Sequence, residues 1–276
     1  MEHLRILAKW LMLWVLSLGN KRRYLALRGT ITLAAARASL YERRHLHFLG
    51  DVLKDGDTAV DVGASFGAYT AHMSRLVGRT GQVVAFEPIG DVFRVLERRM
   101  RKRGNVSCRR VALSDRDELG VELHIPILWR SLPEPALATV EDFDLPHDEE
   151  TIDIVRLDSL SGELPQVQFV KVDVEGHEHA FLRGARGIIA RDQPLIQLES
   201  NDITRDREAY ADFARSVGYE LAYLSADGNL HDLGRDAPPG TYNFYLVPQS
   251  RTYEGRAAGQ AKGRTNARDT CLPGAP

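Results

Sequence analysis

A glycine-containing turn and a nearby carboxylate are the first residues of this sequence that could do chemistry. Residues 60–67 (VDVGASFG) lie between a short β-branched run and a segment whose apolar residues have helical spacing. This pattern is typical of a strand that turns into a helix. Because glycine has no Cβ, Gly63 and Gly67 let the backbone turn and approach a ligand closely. The next apolar run, residues 82–87, ends on Glu87. A carboxylate there can accept hydrogen bonds from both ribose hydroxyls, so the two features predict an adenosine cofactor.

The spacing of the turn distinguishes two classes of adenosine cofactor. Dinucleotide-binding folds use G-x-G-x-x-G, in which backbone amides and a helix N-terminus receive a pyrophosphate. Here three residues separate Gly63 from Gly67, and Asp61 precedes the turn. An acid at this place suits a cationic amino-acid tail, which favours S-adenosylmethionine over NAD. Two alternatives stay open: an NAD-dependent oxidoreductase, and a turn whose glycines only pack while Glu87 caps the next helix.

Two carboxylates and an imidazole follow another predicted strand, residues 168–172. Residues 171–178 read KVDVEGHE, so Asp173, Glu175 and His177 follow the carboxyl end of that strand, where ligands bind in open α/β sheets. Methyltransferases that act on amino groups commonly carry an Asn/Asp-Pro-Pro-aromatic turn here, and this turn differs. We therefore expect methyl transfer to a hydroxyl oxygen, which needs a general base or a metal because a neutral hydroxyl is a weak nucleophile.

The imidazole of His177 is the predicted base, since histidine has the ordinary side-chain pKa nearest neutrality. Asp173 and Glu175 could orient it, hold the acceptor or ligate a metal. Glu199 ends the following strand and is a further candidate. A divalent ion on Asp173 and Glu199 is an option that no metal motif demands. Alternatively, Glu175 caps the following helix and His177 is an exposed residue of its first turn.

The elements that must position these residues alternate between strand and helix from about residue 58 to 247. This pattern predicts an α/β fold with a mostly parallel sheet, helices on both faces and a terminal antiparallel pair at residues 219–224 and 242–247. The alternation breaks between residues 113 and 160. Residues 121–125 and 152–157 look like added strands, and residues 129–150 like a functional or disordered loop. A single helix is predicted at residues 177–190.

We divide the chain into an N-terminal helical extension (1–45), a methyltransferase domain (46–249) and a disordered tail (250–276). Residues 6–18 are apolar and a basic cluster follows at 21–23, so residues 6–23 either pack on protein or make a peripheral membrane contact. We favour packing. Because the cofactor signature begins at Asp61, residues up to Arg44 are predicted to be dispensable for cofactor binding.

Composition limits the partners and the compartment. The formal net charge is −2, so no global positive field exists to gather nucleic acid. Two cysteines, Cys108 and Cys271, fit no metal-ligand spacing and no disulfide framework. We therefore expect a protein of the reducing cytoplasm that does not bind nucleic acid.

Over residues 41–247 the sequence resembles the FkbM family of methyltransferases. The block at residues 171–178 is the most specific part of the resemblance, and the family usually has Asn where Ser65 stands. The segments that carry it are 60–70 (VDVGASFGAYT), 85–88 (AFEP), 112–115 (ALSD), 157–160 (LDSL), 169–185 (FVKVDVEGHEHAFLRGA) and 194–199 (PLIQLE).

The resemblance implies a Rossmann-like class I methyltransferase fold, S-adenosylmethionine binding and O-methylation, often of sugars or natural-product hydroxyls. It implies that the glycine turn and the carboxylate predicted to bind the ribose contact the cofactor, and that residues later in the sequence hold the adenine. The residues so implied are Asp61, Gly63, Ser65, Gly67 and Glu87, with Ser114 and Asp115 at the adenine. The alternative from another class is a cofactor-binding module without turnover.

Overall fold

The computed structural model describes residues 20–38, 40–129, 132–133, 138–139, 146–200, 203–234 and 241–251. The predicted α/β fold is confirmed, with a mostly parallel main sheet and a smaller second sheet. Among these residues the helices are α1 (Lys21–Ala38), α2 (Leu40–Val52), α3 (Ala68–Leu76), α4 (Gly90–Met100), α5 (Glu178–Gly184), α6 (Arg186–Asp192) and α7 (Ile203–Val217), with a 3-10 helix at Leu157–Leu160. The strands are β1 (Thr58–Val62), β2 (Gln82–Phe86), β3 (Val106–Arg109), β4 (Ala112–Leu113), β5 (Glu118–Trp129), β6 (Leu132–Pro133), β7 (His147–Val155), β8 (Phe169–Val172), β9 (Leu195–Glu199), β10 (Tyr219–Leu224), β11 (Leu230–Asp232) and β12 (Asn243–Pro248).

The main sheet has the strand order β11-β10-β12-β9-β8-β1-β2-β3. The neighbours from β3 through β2, β1 and β8 to β9 pair in parallel, and β12 pairs antiparallel with both β9 and β10. The predicted terminal antiparallel pair is therefore present. Strands β1 and β8 are buried along their whole length, which explains why they are short, mainly apolar runs. Their carboxyl ends meet at one edge of the sheet.

The second sheet has the order β4-β7-β5-β6 and forms where the alternation of the sequence breaks. The two predicted added strands lie largely within β5 and β7, although β7 begins earlier than predicted because its pairing with β5 extends from Ile154 back to His147. One face of this sheet buries Leu123, Ile125 and Ile152 against the main domain. Of the predicted loop, residues 130–131, 134–137 and 140–145 lie outside the described residues.

The single helix predicted at residues 177–190 is in fact two helices, α5 and α6, that meet at Ala185. The physical reason lies upstream in the 3-10 helix. The Asp158 carboxylate accepts hydrogen bonds from the backbone N–H groups of Gly187 and Ile188, each at 2.8 Å, and so starts a new helix there. At the end of α5, Gly184 lets the helix lie close to the strand β4 region, because a Cβ at this residue would lie 1.8 Å from the Ser114 carbonyl oxygen.

Helices α1 and α2 pack on the main domain. Tyr24 and Leu25 of α1 are fully buried in a cluster with Phe66, and the Arg99 guanidinium donates to the carbonyl oxygens of Gly29 at 3.1 Å and Phe66 at 2.9 Å. Helix α2 spans the boundary predicted at residues 45 and 46. The apolar run at 6–18 and residues 252–276 of the predicted tail lie outside the described residues. Within the described part of the chain, every helix is too short or too polar to cross a bilayer.

Candidate functional site

A cavity of about 300 Å³ lies between the carboxyl ends of β1, β2 and β8 and the second sheet. Six of the predicted site residues line it: Gly63, Ser65, Glu87, Asp173, Glu175 and His177. The opposite wall is apolar and includes Ile89, Val92, Leu123, Ile152 and Ile154. Four other predicted residues, Asp61, Gly67, Ser114 and Asp115, lie outside this lining. The sequence therefore identified most of the polar wall, and the second sheet supplies much of the apolar one.

The glycine turn brings two strands into direct backbone contact. Gly63 has a φ of +72°, and a Cβ there would lie 1.9 Å from the Asp173 carbonyl oxygen. Only glycine allows β1 and β8 to approach so closely at the cavity. Gly67 also has a positive φ, +80°, but a Cβ there would meet the side chains of Leu96 and Met100 in α4 at 2.7 and 2.9 Å. Gly67 thus lies against α4, and its contact with the cofactor stays a prediction.

Glu87 joins the turn to the start of α4. One carboxylate oxygen accepts from the Ser65 backbone N–H and the other from the Ile89 backbone N–H, both at 2.9 Å. Ser65 itself has a positive φ, +49°, within the turn. Burial raises the pKa of Glu87 to about 7, although the two N–H donors oppose the rise. Each oxygen keeps acceptor capacity for a ligand in the cavity.

Asp61 lies beneath the turn and is 2% exposed. Its carboxylate accepts a hydrogen bond from the Thr70 hydroxyl in the first turns of α3. Burial raises the pKa of Asp61 to about 6, while the Thr70 bond and the nearby Lys171 charge act to lower it. Asp61 therefore links the end of β1 to α3, the helix that follows the turn.

Lys171 is a buried charged residue beside the site that sequence reasoning did not single out. Its side chain is buried in β8, and its Nζ lies 3.2 Å from a Glu199 oxygen and 3.8 Å from an Asp173 oxygen. Although burial acts to lower it, the pKa of Lys171 is raised by the carboxylates of Asp173 and Glu199. Burial also raises the pKa of Glu199, and the Lys171 charge opposes this. An ammonium thus occupies the place where a divalent ion on Asp173 and Glu199 was considered, and the geometry gives that ion no support.

The loop after β8 turns through two left-handed residues, Glu175 with φ +50° and Gly176 with φ +98°. Just before α5, the Glu178 carboxylate accepts a hydrogen bond from the Gly176 N–H at 3.1 Å, and the alternative that Glu175 caps this helix stays a prediction. His177 precedes α5, and its Nε2 lies 2.8 Å from the Ser114 hydroxyl oxygen.

The two residues implied at the adenine follow β4. Ser114 is buried and contacts the cavity through His177. Asp115 forms an ion pair with Arg183 at 2.7 Å, and the hydrogen bond from Arg183 lowers the pKa of Asp115. Of the pair, Ser114 is the one connected to the cavity wall.

The strand order, the antiparallel β12 and a ligand-sized cavity at the carboxyl ends of the parallel strands define a Rossmann-like class I methyltransferase fold. The chain belongs to the FkbM methyltransferase family, whose domain model, "Methyltransferase FkbM domain", matches residues 61–229. The resemblance inferred from the sequence is thereby confirmed.

Two solved structures with a similar arrangement are distant in sequence. An FkbM methyltransferase from Methylobacillus flagellatus KT is 16% identical with a TM-score of 0.48, covering 88% of this chain and 59% of that one. A fibrillarin from Aeropyrum pernix, in complex with S-adenosyl-L-methionine, is 16% identical with a TM-score of 0.45, covering 74% of this chain and 73% of that one. Curated protein sequences give no significant match.

Proposed function

We propose that the protein transfers the methyl group of S-adenosylmethionine to a hydroxyl oxygen of a small molecule, a sugar, glycan or natural product. The observation that carries the proposal is a single cavity that joins Glu87, the glycine turn and Asp173. Family membership favours this activity over the NAD-dependent oxidoreductase and the inactive binding module. The net charge of −2 agrees with a small-molecule acceptor and not with nucleic acid.

The residues present fit the cofactor. Glu87 is a buried carboxylate in the cavity wall with spare acceptor sites, which suits the ribose hydroxyls. Gly63 and Ser65 form the turn beside which the amino-acid tail would lie, with Asp61 beneath it. The apolar wall of Ile89 and Ile152 suits a flat purine. When bound, S-adenosylmethionine supplies a methyl group that is already activated on a sulfonium.

The protein's own task is then to align the acceptor and accept its proton. Positioning alone can supply about 7–11 kcal/mol in favourable cases. We place the proton acceptor at the Asp173 carboxylate, which lies in the cavity wall. The Asp173 backbone contacts Gly63 of the turn, and the Lys171 ammonium lies 3.8 Å from the Asp173 carboxylate, so both contacts fix the position of this residue beside the cofactor site. His177, the base predicted from the sequence, is bonded to Ser114 at the side implied for adenine, and it becomes the second candidate.

Two matched variants distinguish these bases. With labelled S-adenosylmethionine and a panel of sugars and natural products, Asp173→Asn should lower turnover about 10²–10⁴-fold, the usual effect of losing a general base. Its cofactor affinity, measured by calorimetry, should stay within about twofold. His177→Ala should chiefly weaken the cofactor. The reverse result would make His177 the base.

The activity itself is tested first by mass spectrometry of the purified protein for bound S-adenosylmethionine or S-adenosylhomocysteine. A protein that binds nicotinamide dinucleotide instead would overturn the proposal, and one that binds the methyl donor but methylates no acceptor would be the inactive module. We further propose a cytoplasmic location, and a role for residues 6–23 in packing. Co-sedimentation with anionic vesicles would show instead that they contact membrane.

A further inference from the structure

The outer face of the second sheet carries two histidines and a glutamate that face one another. In the pairing of β5 with β7, His124 lies directly opposite Glu149, and His147 follows as the next residue on the same face. One nitrogen or oxygen from each of the three side chains lies within 4.8 Å of the others. This cluster lies on the face opposite Leu123 and Ile152, which line the cavity.

We propose that His124, His147 and Glu149 bind a transition-metal ion of the Zn²⁺ type. Imidazole nitrogens with one carboxylate oxygen suit Zn²⁺ and its neighbours, whereas Mg²⁺ and Ca²⁺ prefer oxygen ligands alone. Three protein ligands and a water complete the usual tetrahedron. Ligand atoms of a tetrahedral zinc site lie about 3.3 Å apart, so modest side-chain rotations close the cluster around an ion.

A buried ring nitrogen and the negative charge of the two strands both support an ion at this cluster. The Nδ1 of His124 is buried and lacks a hydrogen-bond partner within the described part of the chain, and a buried polar atom of this kind is costly unless something binds it. On the face of β5 and β7 that carries the cluster, the charged residues are three carboxylates, Glu122, Glu149 and Asp153, and neither strand contains Lys or Arg. The local field therefore attracts a cation.

The ion would link β5 to β7 on the face of the second sheet that points away from the cavity. The same two strands present Leu123, Ile152 and Ile154 to the cavity on their inner face. A metal bridge between the strands would thus stiffen the apolar wall of the cavity without contact with the reacting groups. This role does not depend on the proposed methyl transfer.

The competing explanation is that the two imidazoles only pack. Their ring centroids are 4.7 Å apart and their planes meet at 84°, an ordinary edge-to-face contact. His147 Nε2 also lies 3.5 Å from a Glu149 oxygen, as a plain ion pair would. Both contacts are compatible with the ion-free state of a site, so metal uptake is the measurement that decides.

The test is calorimetric titration of Zn²⁺ into the full-length protein, chelator-treated and free of any histidine tag. We expect saturable uptake of about one equivalent and a rise in melting temperature of several degrees. Glu149→Gln and His124→Ala should each weaken uptake at least about tenfold. Co²⁺ bound to the protein should show visible d–d absorption that His147→Gln removes.

The matched control is His231→Ala. His231 is exposed and lies 3.2 Å from an Asp227 oxygen, and among the described residues this histidine–carboxylate pair belongs to no three-residue cluster of metal-ligand type. Its uptake should equal that of the unmodified protein. Because Glu149 is exposed, Glu149→Gln should fold even if His124→Ala does not. No saturable uptake, or uptake unchanged by Glu149→Gln and His147→Gln, would overturn the proposal and leave the packing explanation.

Discussion

At the scale of single residues, two effects on the charge of Glu87 oppose each other: its hydrogen bonds favour the ionised carboxylate, and its burial favours the neutral acid. Its oxygens hold the glycine turn through Ser65 and the next helix through Ile89, yet burial raises its pKa to about 7. A raised carboxyl pKa stabilises the folded state below the ordinary value of 4.5, and this contribution is lost as the pH rises through about 7. In the free protein, Glu87 therefore carries a stability cost at high pH.

Cofactor binding should release a proton near pH 6. Ribose hydroxyls donate to the ionised carboxylate, so binding should shift Glu87 toward its charged form and affinity should rise with pH up to about 7. Calorimetry at pH 6 in two buffers of different ionisation enthalpy measures the proton. In Glu87→Gln the release should disappear, and in Glu87→Ala affinity should fall at least about tenfold. A proton released equally by Glu87→Gln would assign it to another group, such as Asp61.

At the scale of elements, the two glycines of the turn have different neighbours. Gly63 faces backbone, the Asp173 carbonyl, whereas Gly67 faces the ends of the Leu96 and Met100 side chains. Backbone cannot move aside without separating β1 from β8, but side-chain ends can rotate. The spacing of the two glycines in the sequence gives no sign of this difference.

Gly63→Ala should therefore destabilise the protein more than Gly67→Ala. A positive φ costs alanine about 1–2 kcal/mol at either place. The backbone clash should bring the total for Gly63→Ala above about 3 kcal/mol. Urea denaturation of the two variants measures the difference. Equal losses of unfolding free energy would mean that the turn can open at Gly63.

The N-terminal helices should be needed for a stable cofactor site, contrary to the dispensability predicted from the sequence. Tyr24 is fully buried against the cluster that contains Phe66, one residue after cavity-lining Ser65. Tyr24→Ala should cost about 3–5 kcal/mol by leaving a cavity. The control, Arg23→Ala, removes an exposed side chain and should change the unfolding free energy by less than about 0.5 kcal/mol. If a chain starting at Leu46 keeps the stability and cofactor affinity of the full protein, the packing is incidental.

At the scale of the whole molecule, the cavity lies between two separate sheets. The main sheet supplies Gly63, Glu87 and Asp173, and the second sheet supplies Leu123 and Ile152. A ligand that fills the cavity must contact both, so its binding should restrain the second sheet against the first.

Hydrogen exchange should report this restraint. S-adenosylmethionine should slow amide exchange in β5 and β7, because local opening of the second sheet would break its contacts with the ligand. Strands β10 and β11 are remote from the lining and serve as an internal control, with exchange unchanged. Slowing confined to the main sheet would show that the ligand does not reach the second one.

Much of this arrangement could be predicted from local sequence. Hydrophobic runs located β1, β2, β8 and β9, and the acid and glycines at their ends placed Glu87 and Gly63 in the cavity. Lys171 was missed because its ion pairs depend on which strands lie side by side. Asp173 follows it by two residues, but Glu199 belongs to β9, the strand that pairs with β8. The break at Ala185 was missed for a similar reason, since the capping Asp158 lies far upstream.

The second sheet also has a consequence for how such a chain can change over evolution. Its first strand, β4, lies beside its last, β7, with Ala112 opposite Ile154 and Leu113 opposite Val155. The whole insertion thus leaves and rejoins the main fold at neighbouring points about 5 Å apart. The insertion is therefore a compact unit whose two ends are adjacent in space. Exchanging it between relatives would remodel the apolar half of the cavity while leaving the strands that carry Glu87 and Asp173 in register.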